Sequence, residues 1–259
     1  MRKIKLIINY DGTDFNGFQY QPSIRTVQGE IEKSLSLLTK EKIRIIGSSR
    51  TDSGVHANGQ VVSFDTKSKI PPEKYTIALR KFLPRDINVL RSTEVSKEFF
   101  PIGDALAKRY SYFISGNTNV HIRDKRFCYH IGNELDLDRI NKACDKLIGT
   151  KDFKSFCASG SESKTTVRTI YYAKIEEHYK NEYYFTIVGS GFLYKMVRII
   201  VGSLIKVGIK KLSIEEFENI IKLRDRKLAP ITAPSQGLCL EEVYYNKEFL
   251  DKYLTNKSV

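Results

Sequence analysis

An aspartate set among small residues can act as a nucleophile, and one stretch of this chain is built that way: Arg50-Thr51-Asp52-Ser53-Gly54-Val55-His56-Ala57. Ser48, Ser49, Ser53 and Gly54 let a ligand approach the backbone without meeting bulk. Arg50, two residues before the carboxylate, is a permanent cation that can stand beside it or touch a phosphate. The same Asp-Ser-Gly triplet is also ordinary turn chemistry, and by itself it supports a plain turn equally well. Half of an aspartic-protease site is a third reading. That chemistry needs two carboxylates sharing a proton, and no second copy of the triplet occurs. A homodimer could supply one, but the small proteases that work this way have far shorter protomers.

A second feature is the run Gly189-Ser190-Gly191-Phe192-Leu193-Tyr194-Lys195-Met196-Val197-Arg198-Ile199-Ile200-Val201-Gly202-Ser203. From Phe192 to Val207 it is apolar on nearly every side, which predicts a largely buried helix. At about 100° per residue, Met196, Ile200, Leu204 and Val207 gather opposite Arg198. A buried cation is costly unless paired, so Arg198 calls for a partner. Asp52 is one candidate; another acid, or snorkelling of the guanidinium to the surface, would serve as well. A third feature is Lys108-Arg109-Tyr110-Ser111-Tyr112. An aromatic ring between cations suits stacking on an unpaired base, whereas tyrosine at alternate strand positions ordinarily fills a core. Histidine is the side chain suited to acid–base chemistry near neutral pH, but no Ser–His–Asp order stands out around His56, and it reads as a loop residue.

The 43 Lys and Arg outnumber the 30 acids for a net charge of +13, a balance that favours a polyanionic partner. No basic amphipathic helix with an exposed aromatic face is evident, so a membrane surface is disfavoured. Nor does any run approach the roughly 18 apolar residues of a membrane span. The opening Met1-Arg2-Lys3-Ile4-Lys5 lacks the form of a signal peptide, and a cytoplasmic protein is expected. Cys128, Cys144, Cys157 and Cys239 form no Cys-x-x-Cys pair and have no histidine at ligand spacing. They read as buried or half-buried free thiols rather than a zinc site.

The elements that must position these groups follow from periodicity. Lys3–Tyr10, Ile43–Ile46, Gln60–Phe64 and Ile87–Val95 read as strands. Thr26 caps a helix bearing Val27, Ile31, Leu35 and Leu38, and Pro71-Pro72 opens another bearing Tyr75, Leu79 and Phe82. After about Asp104 the pattern restarts. Arg109–Ser115 is a strand, Asp138 starts a helix, and Thr169–His178 and Tyr183–Gly189 are long strands. The apolar helix from Phe192 comes next, and Ser213 with Glu216 forms the capping box of a last helix. Strands interrupted by helices without regular βαβ spacing predict an α+β fold with a mainly antiparallel sheet. Two halves are expected, residues 1–104 and 105–259.

Taken together, these segments resemble the TruA family of tRNA pseudouridine synthases, in order and over nearly the whole chain. The resemblance is carried by Tyr10-Asp11-Gly12, Phe15, Gly17-Phe18-Gln19 and Gln21, Thr26-Val27-Gln28-Gly29-Glu30, and the Asp52 stretch with Gln60. It continues through Lys108–Tyr112, Asp152-Phe153 with Phe156, Thr166–Ile170, Phe192 with Met196–Arg198, Ile200–Gly202, Ala233-Pro234 and Gly237-Leu238. It implies two similar α+β halves joined in one continuous, mostly antiparallel sheet, with helices on one side and a basic cleft between the halves. Asp52 would be the catalytic aspartate, attacking the target uridine at C6 of the base or C1′ of the sugar. Tyr110 would pack against that base and Arg198 would pair with Asp52. Arg50, with Lys108 and Arg109, would hold the RNA. No cofactor or metal is implied. The substrate would be the tRNA anticodon arm at positions 38, 39 and 40, and the protein a homodimer. Ser49 stands where the family often has Gly, and Ser53 where many members have Ala or Lys; these departures touch loop detail and leave Asp52 and Arg50 in place. The other class compatible with charge and aromatics is a non-catalytic RNA-binding or RNA-folding protein on the same scaffold.

Overall fold

The computed structural model describes residues 1–118 and 124–248, together with Tyr253. Contacts divide the chain into two compact units, Met1–Leu106 with Cys239–Tyr245, and Ala107–Leu238 with the residues that follow Tyr245. Each has an α+β core with mixed, mostly antiparallel strand pairing.

In the first unit, β1 (Arg2–Tyr10) is followed by α1 (Val27–Thr39), β2 (Ile45–Gly47), β3 (His56–Thr66), α2 (Tyr75–Ala78) and β4 (Ile87–Val95). The alternation read in β1 is real: Ile4, Leu6, Ile8 and Tyr10 are buried while the residues between them are half-buried. β1 lies antiparallel between β3 and β4, in register Ile4↔Phe64 and Tyr10↔Ile87. α1 begins where the sequence places it. The Thr26 hydroxyl accepts from the Gly29 amide, and Val27, Ile31 and Leu35 are buried. The helix expected after Pro71-Pro72 is a single α turn flanked by short 3-10 turns. Tyr75 and Leu79 are buried as expected, but Phe82 is 38% exposed. Pro84 disfavours helical backbone at Leu83 and stops the segment there.

The second unit contains β5 (Ala107–Ser115), β6 (Tyr129–His130), α3 (Leu137–Asp145), β7 (Gly149–Asp152), β8 (Val167–Tyr179), β9 (Glu182–Gly189), α4 (Met196–Gly208) and α5 (Ile214–Leu223). Strand β10 (Leu238–Tyr244) then returns the chain to the first unit, where it pairs parallel with the start of β3, Cys239↔His56 and Leu240↔Ala57. Within the second unit the antiparallel order is β5-β9-β8-β7. Ile114, Ile175 and Phe185 from these strands meet Ile140 of α3 and Val201 and Leu204 of α4 in one apolar junction. Asp136, rather than Asp138, caps α3 by accepting from the Arg139 amide. The capping box of α5 is fully formed, Ser213 accepting from the Glu216 amide and Glu216 from the Ser213 amide.

The expected helix from Phe192 is shorter: α4 starts at Met196, because Lys195 takes a left-handed conformation at φ 57°. Phe192–Lys195 instead forms a turn in which the Met196 amide donates to the Leu193 carbonyl. From there on the reading of a buried helix holds, with Met196, Ile200 and Val207 each at 0% exposure. Cys128 and Cys144 are buried and Cys157 and Cys239 half-buried, and these four form no disulfide among the described residues. No helix among the described residues is long and apolar enough to cross a membrane.

Candidate active site

Asp52 sits in the connection from β2 to β3, and that connection is fixed from both sides. On one side stands the segment after β1. The Tyr10 hydroxyl and the Thr51 hydroxyl are 2.7 Å apart in a buried hydrogen bond. The Phe18 amide donates to the Thr51 carbonyl at 3.0 Å. The Phe15 carbonyl accepts from the Ser53 hydroxyl at 3.1 Å and from the Gly54 amide at 3.3 Å. A Cβ on Gly12 would lie 2.0 Å from the Val55 carbonyl oxygen, so only glycine lets the two loops approach this closely. On the other side, fully buried Gln60 donates to the Ser49 carbonyl at 2.8 Å. Its amide oxygen accepts from the Ser48 hydroxyl at 2.7 Å and the Val61 amide at 3.1 Å. A buried amide with its polar atoms engaged is a rigid brace.

These bonds flank Asp52. Ser48, Ser49 and Thr51 are buried, Asp52 is half-buried and Ser53 and Arg50 are exposed. The carboxylate thus stands on a backbone whose neighbours cannot easily rearrange. Such preorganisation is what a nucleophile needs and a plain surface turn lacks. Arg50 shares the loop, its guanidinium donating to the Gln19 side-chain oxygen at 3.3 Å.

His56, read from sequence as a loop residue, is a correction. It is buried at the start of β3. Its Nδ1 accepts from the Gly12 amide at 3.0 Å and lies 3.2 Å from an Asp11 carboxylate oxygen. It joins the Asp11-Gly12 turn to the strand that leaves the Asp52 loop. Its position between apolar Val55 and Ala57, where a strand could begin, was the available signal.

In the second unit β5 carries Lys108, Arg109 and Tyr110. Strand alternation separates them. Lys108, Tyr110 and Tyr112 fall on one face and Arg109 on the other, so the strand groups only Lys108 with Tyr110. The Tyr110 ring is 7% exposed and packs edge-on against Phe192, centroids 5.2 Å apart and planes at 85°. Phe192 is held by the turn before α4. Burial lowers the Lys108 ammonium to about 8, and the Arg168 charge adds to the shift.

Arg198 lies in the first turn of α4. Its Nε donates to the Ala233 carbonyl at 2.8 Å, and its own carbonyl accepts from the Ala233 amide at 3.0 Å. Two further features hold this 231–234 strap to the unit. The Tyr112 hydroxyl donates to the Pro234 carbonyl at 2.7 Å. A Cβ on Gly202 would lie 2.0 Å from the Ile231 carbonyl oxygen. Burial raises the Tyr112 phenol well above its ordinary range, against the opposing charge of Arg198. The strap escaped sequence reasoning because it has no regular structure; Ala233-Pro234 was its visible trace.

The family model described as tRNA pseudouridine synthase matches residues 6–100 and 143–246. A protein of Acetivibrio thermocellus called tRNA pseudouridine synthase A is 46% identical over 245 residues, covering 95% of this chain and 100% of that one. The proteins of that name from Clostridium acetobutylicum and Bacillus pumilus are each 43% identical. They cover 95% and 94% of this chain, and 100% and 99% of their own.

Proposed function

This chain belongs to the tRNA pseudouridine synthase family, and from that membership we propose that it isomerises uridine to pseudouridine in the tRNA anticodon stem-loop, at positions 38, 39 and 40, with Asp52 as nucleophile. The observation that carries the assignment of Asp52 is the two-sided bracing of its loop by Tyr10, Phe15, Phe18 and Gln60. It fixes the backbone on either side of a half-buried carboxylate and leaves the carboxylate itself half-exposed.

The reaction moves one bond. Asp52 attacks C6 of the uracil or C1′ of the ribose, and the N1–C1′ bond breaks. The base turns, C5 joins C1′, the bond to Asp52 breaks and returns its electron pair to the carboxylate, and the proton on C5 leaves while N1 gains one. Substrate and product contain the same atoms at the same oxidation level, so the step consumes no redox partner. The remaining residues supply position and charge. Tyr110, held edge-on by Phe192, packs against the target base. Arg198 pairs with Asp52. Arg50 and Lys108 hold the RNA backbone, Arg109 facing the other side of β5, and the base leaves its stack to reach the carboxylate. We place the enzyme in the cytoplasm, acting as a homodimer.

Incubation with unmodified tRNA followed by chemical mapping should reveal new pseudouridine at positions 38–40. If none formed in any anticodon arm, the reading would fall. Lys108 gives a second check. With its ammonium at about 8, raising the pH through that value removes one cation from the RNA site. Affinity for tRNA should therefore fall several-fold between about pH 7 and 9, beyond what ordinary lysines would produce. Lys108→Arg stays charged throughout and should flatten that fall. The same slope in both proteins, measured by fluorescence anisotropy, would remove Lys108 from the site.

A further inference from the structure

A cavity of about 550 Å³ opens at the edge of the first unit, within the size range of ligand sites. Asn9 of β1, Asn88 and Leu90 of edge strand β4, and Arg80, Pro84 and Arg85 from the segment before β4 line it. Asn9 and Asn88 are direct cross-strand partners. The amide oxygen of Asn9 is buried and has no hydrogen-bond partner among the described residues, so it presents an unmet acceptor. Arg80 and Arg85 are exposed. Among the described residues, no acid lines the cavity. The acid next in sequence, Asp86, is already engaged by Arg25 through two hydrogen bonds of 2.9 and 3.0 Å.

The cavity shares its scaffold with the Asp52 loop. Asn9 is followed by Tyr10, whose hydroxyl holds Thr51. The Asp86 carbonyl, beside Arg85, accepts from the Asp11 amide at 3.0 Å, and Asp11-Gly12 packs on Val55. A ligand seated here is thus held by the same framework that fixes the catalytic loop.

We propose that this cavity is a second RNA site, which takes a nucleotide of the bound tRNA other than the target uridine. Arg80 and Arg85 bind its phosphate, since guanidinium matches phosphate geometry. Asn88, exposed on edge strand β4, bonds the ribose 2′-hydroxyl or a base edge, and Asn9 lies opposite it. The inference rests on the reading of the chain as a tRNA-modifying enzyme.

The test compares Arg80→Ala/Arg85→Ala with wild type and with Lys33→Ala/Lys42→Ala. The latter removes two exposed lysines of the same unit that do not line the cavity. Binding of labelled tRNA is followed by anisotropy between about 50 and 300 mM KCl. Each lost phosphate contact lowers the slope of log affinity against log salt by about one. The arginine variant should lose one to two units of slope, and its KM should rise at least fivefold while kcat changes less than twofold. The lysine variant should lose under half a unit. Equal losses in the two variants, or a wild-type slope in the arginine variant, would overturn the proposal. So would Arg80- and Arg85-dependent binding of free uridine 5′-monophosphate together with unchanged tRNA affinity, which would make the cavity a small-nucleotide site. Binding does not depend on turnover. If wild-type protein formed no pseudouridine, the functional reading would fail while the slopes still judged the cavity.

Discussion

Asp52→Asn should lower the turnover of pseudouridine formation by at least about a thousandfold, while tRNA affinity should stay within about threefold of wild type. The asymmetry follows from where the loop takes its rigidity. Thr51, Ser53, Gly54, Ser48 and Ser49 supply bonds that hold it, and the substitution leaves those in place. Asparagine keeps the shape of the side chain but replaces the charged carboxylate with a neutral, non-nucleophilic amide. Single-turnover assays at saturating tRNA, with anisotropy for binding, separate the two quantities. Retained turnover would strip Asp52 of its role. Lost turnover accompanied by lost binding would mean that the carboxylate holds the loop rather than the substrate. A non-catalytic RNA-binding protein on this scaffold predicts no change in RNA modification at all.

The parts of the fold legible from sequence were those governed by local periodicity. β1 alternates cleanly, β4 alternates except for an irregularity at Leu90-Arg91, α1 and α5 carry their own caps, and each falls within a residue or two of its expected place. Strand β10 was not legible. Its Glu241-Glu242-Val243-Tyr244 breaks the alternation, and it pairs with His56 and Ala57, about 180 residues earlier; no local pattern encodes that pairing. The start of α4 was misplaced for a related reason. Phe192–Tyr194 has helical apolar character, but the left-handed turn at Lys195 spends those residues on a turn. Phe192 is thereby placed beside Tyr110. Within the site, residue types announced Asp52 and Arg50, whereas the bracing that makes the loop rigid was invisible. It depends on carbonyls of Phe15, Ser49 and Thr51 that any residue would carry.

Arg198 shows how a legible residue can acquire a second role. A cation in an apolar helix demanded a partner, and one partner is the Ala233 carbonyl. Arg198→Ala removes that donor and should cost about 1–3 kcal/mol, or roughly 3–10 °C in Tm for a chain of this size. The protein should still fold, because the Arg198 carbonyl, the Tyr112 hydroxyl and the close approach at Gly202 keep the strap in place. If Arg198 also pairs with Asp52, kcat should fall about a hundredfold, as expected when a charge partner of a nucleophile is lost. Two further variants divide these effects. Arg198→Gln has an N–H donor at the same position along the side chain as Nε but no charge. Arg198→Lys has the charge but lacks that donor. Glutamine should recover most of the Tm and little of kcat; lysine should recover part of kcat and little of the Tm. Should glutamine restore kcat with the Tm, the charge would have no part in the reaction, and Arg198 would serve only to fasten the strap to α4.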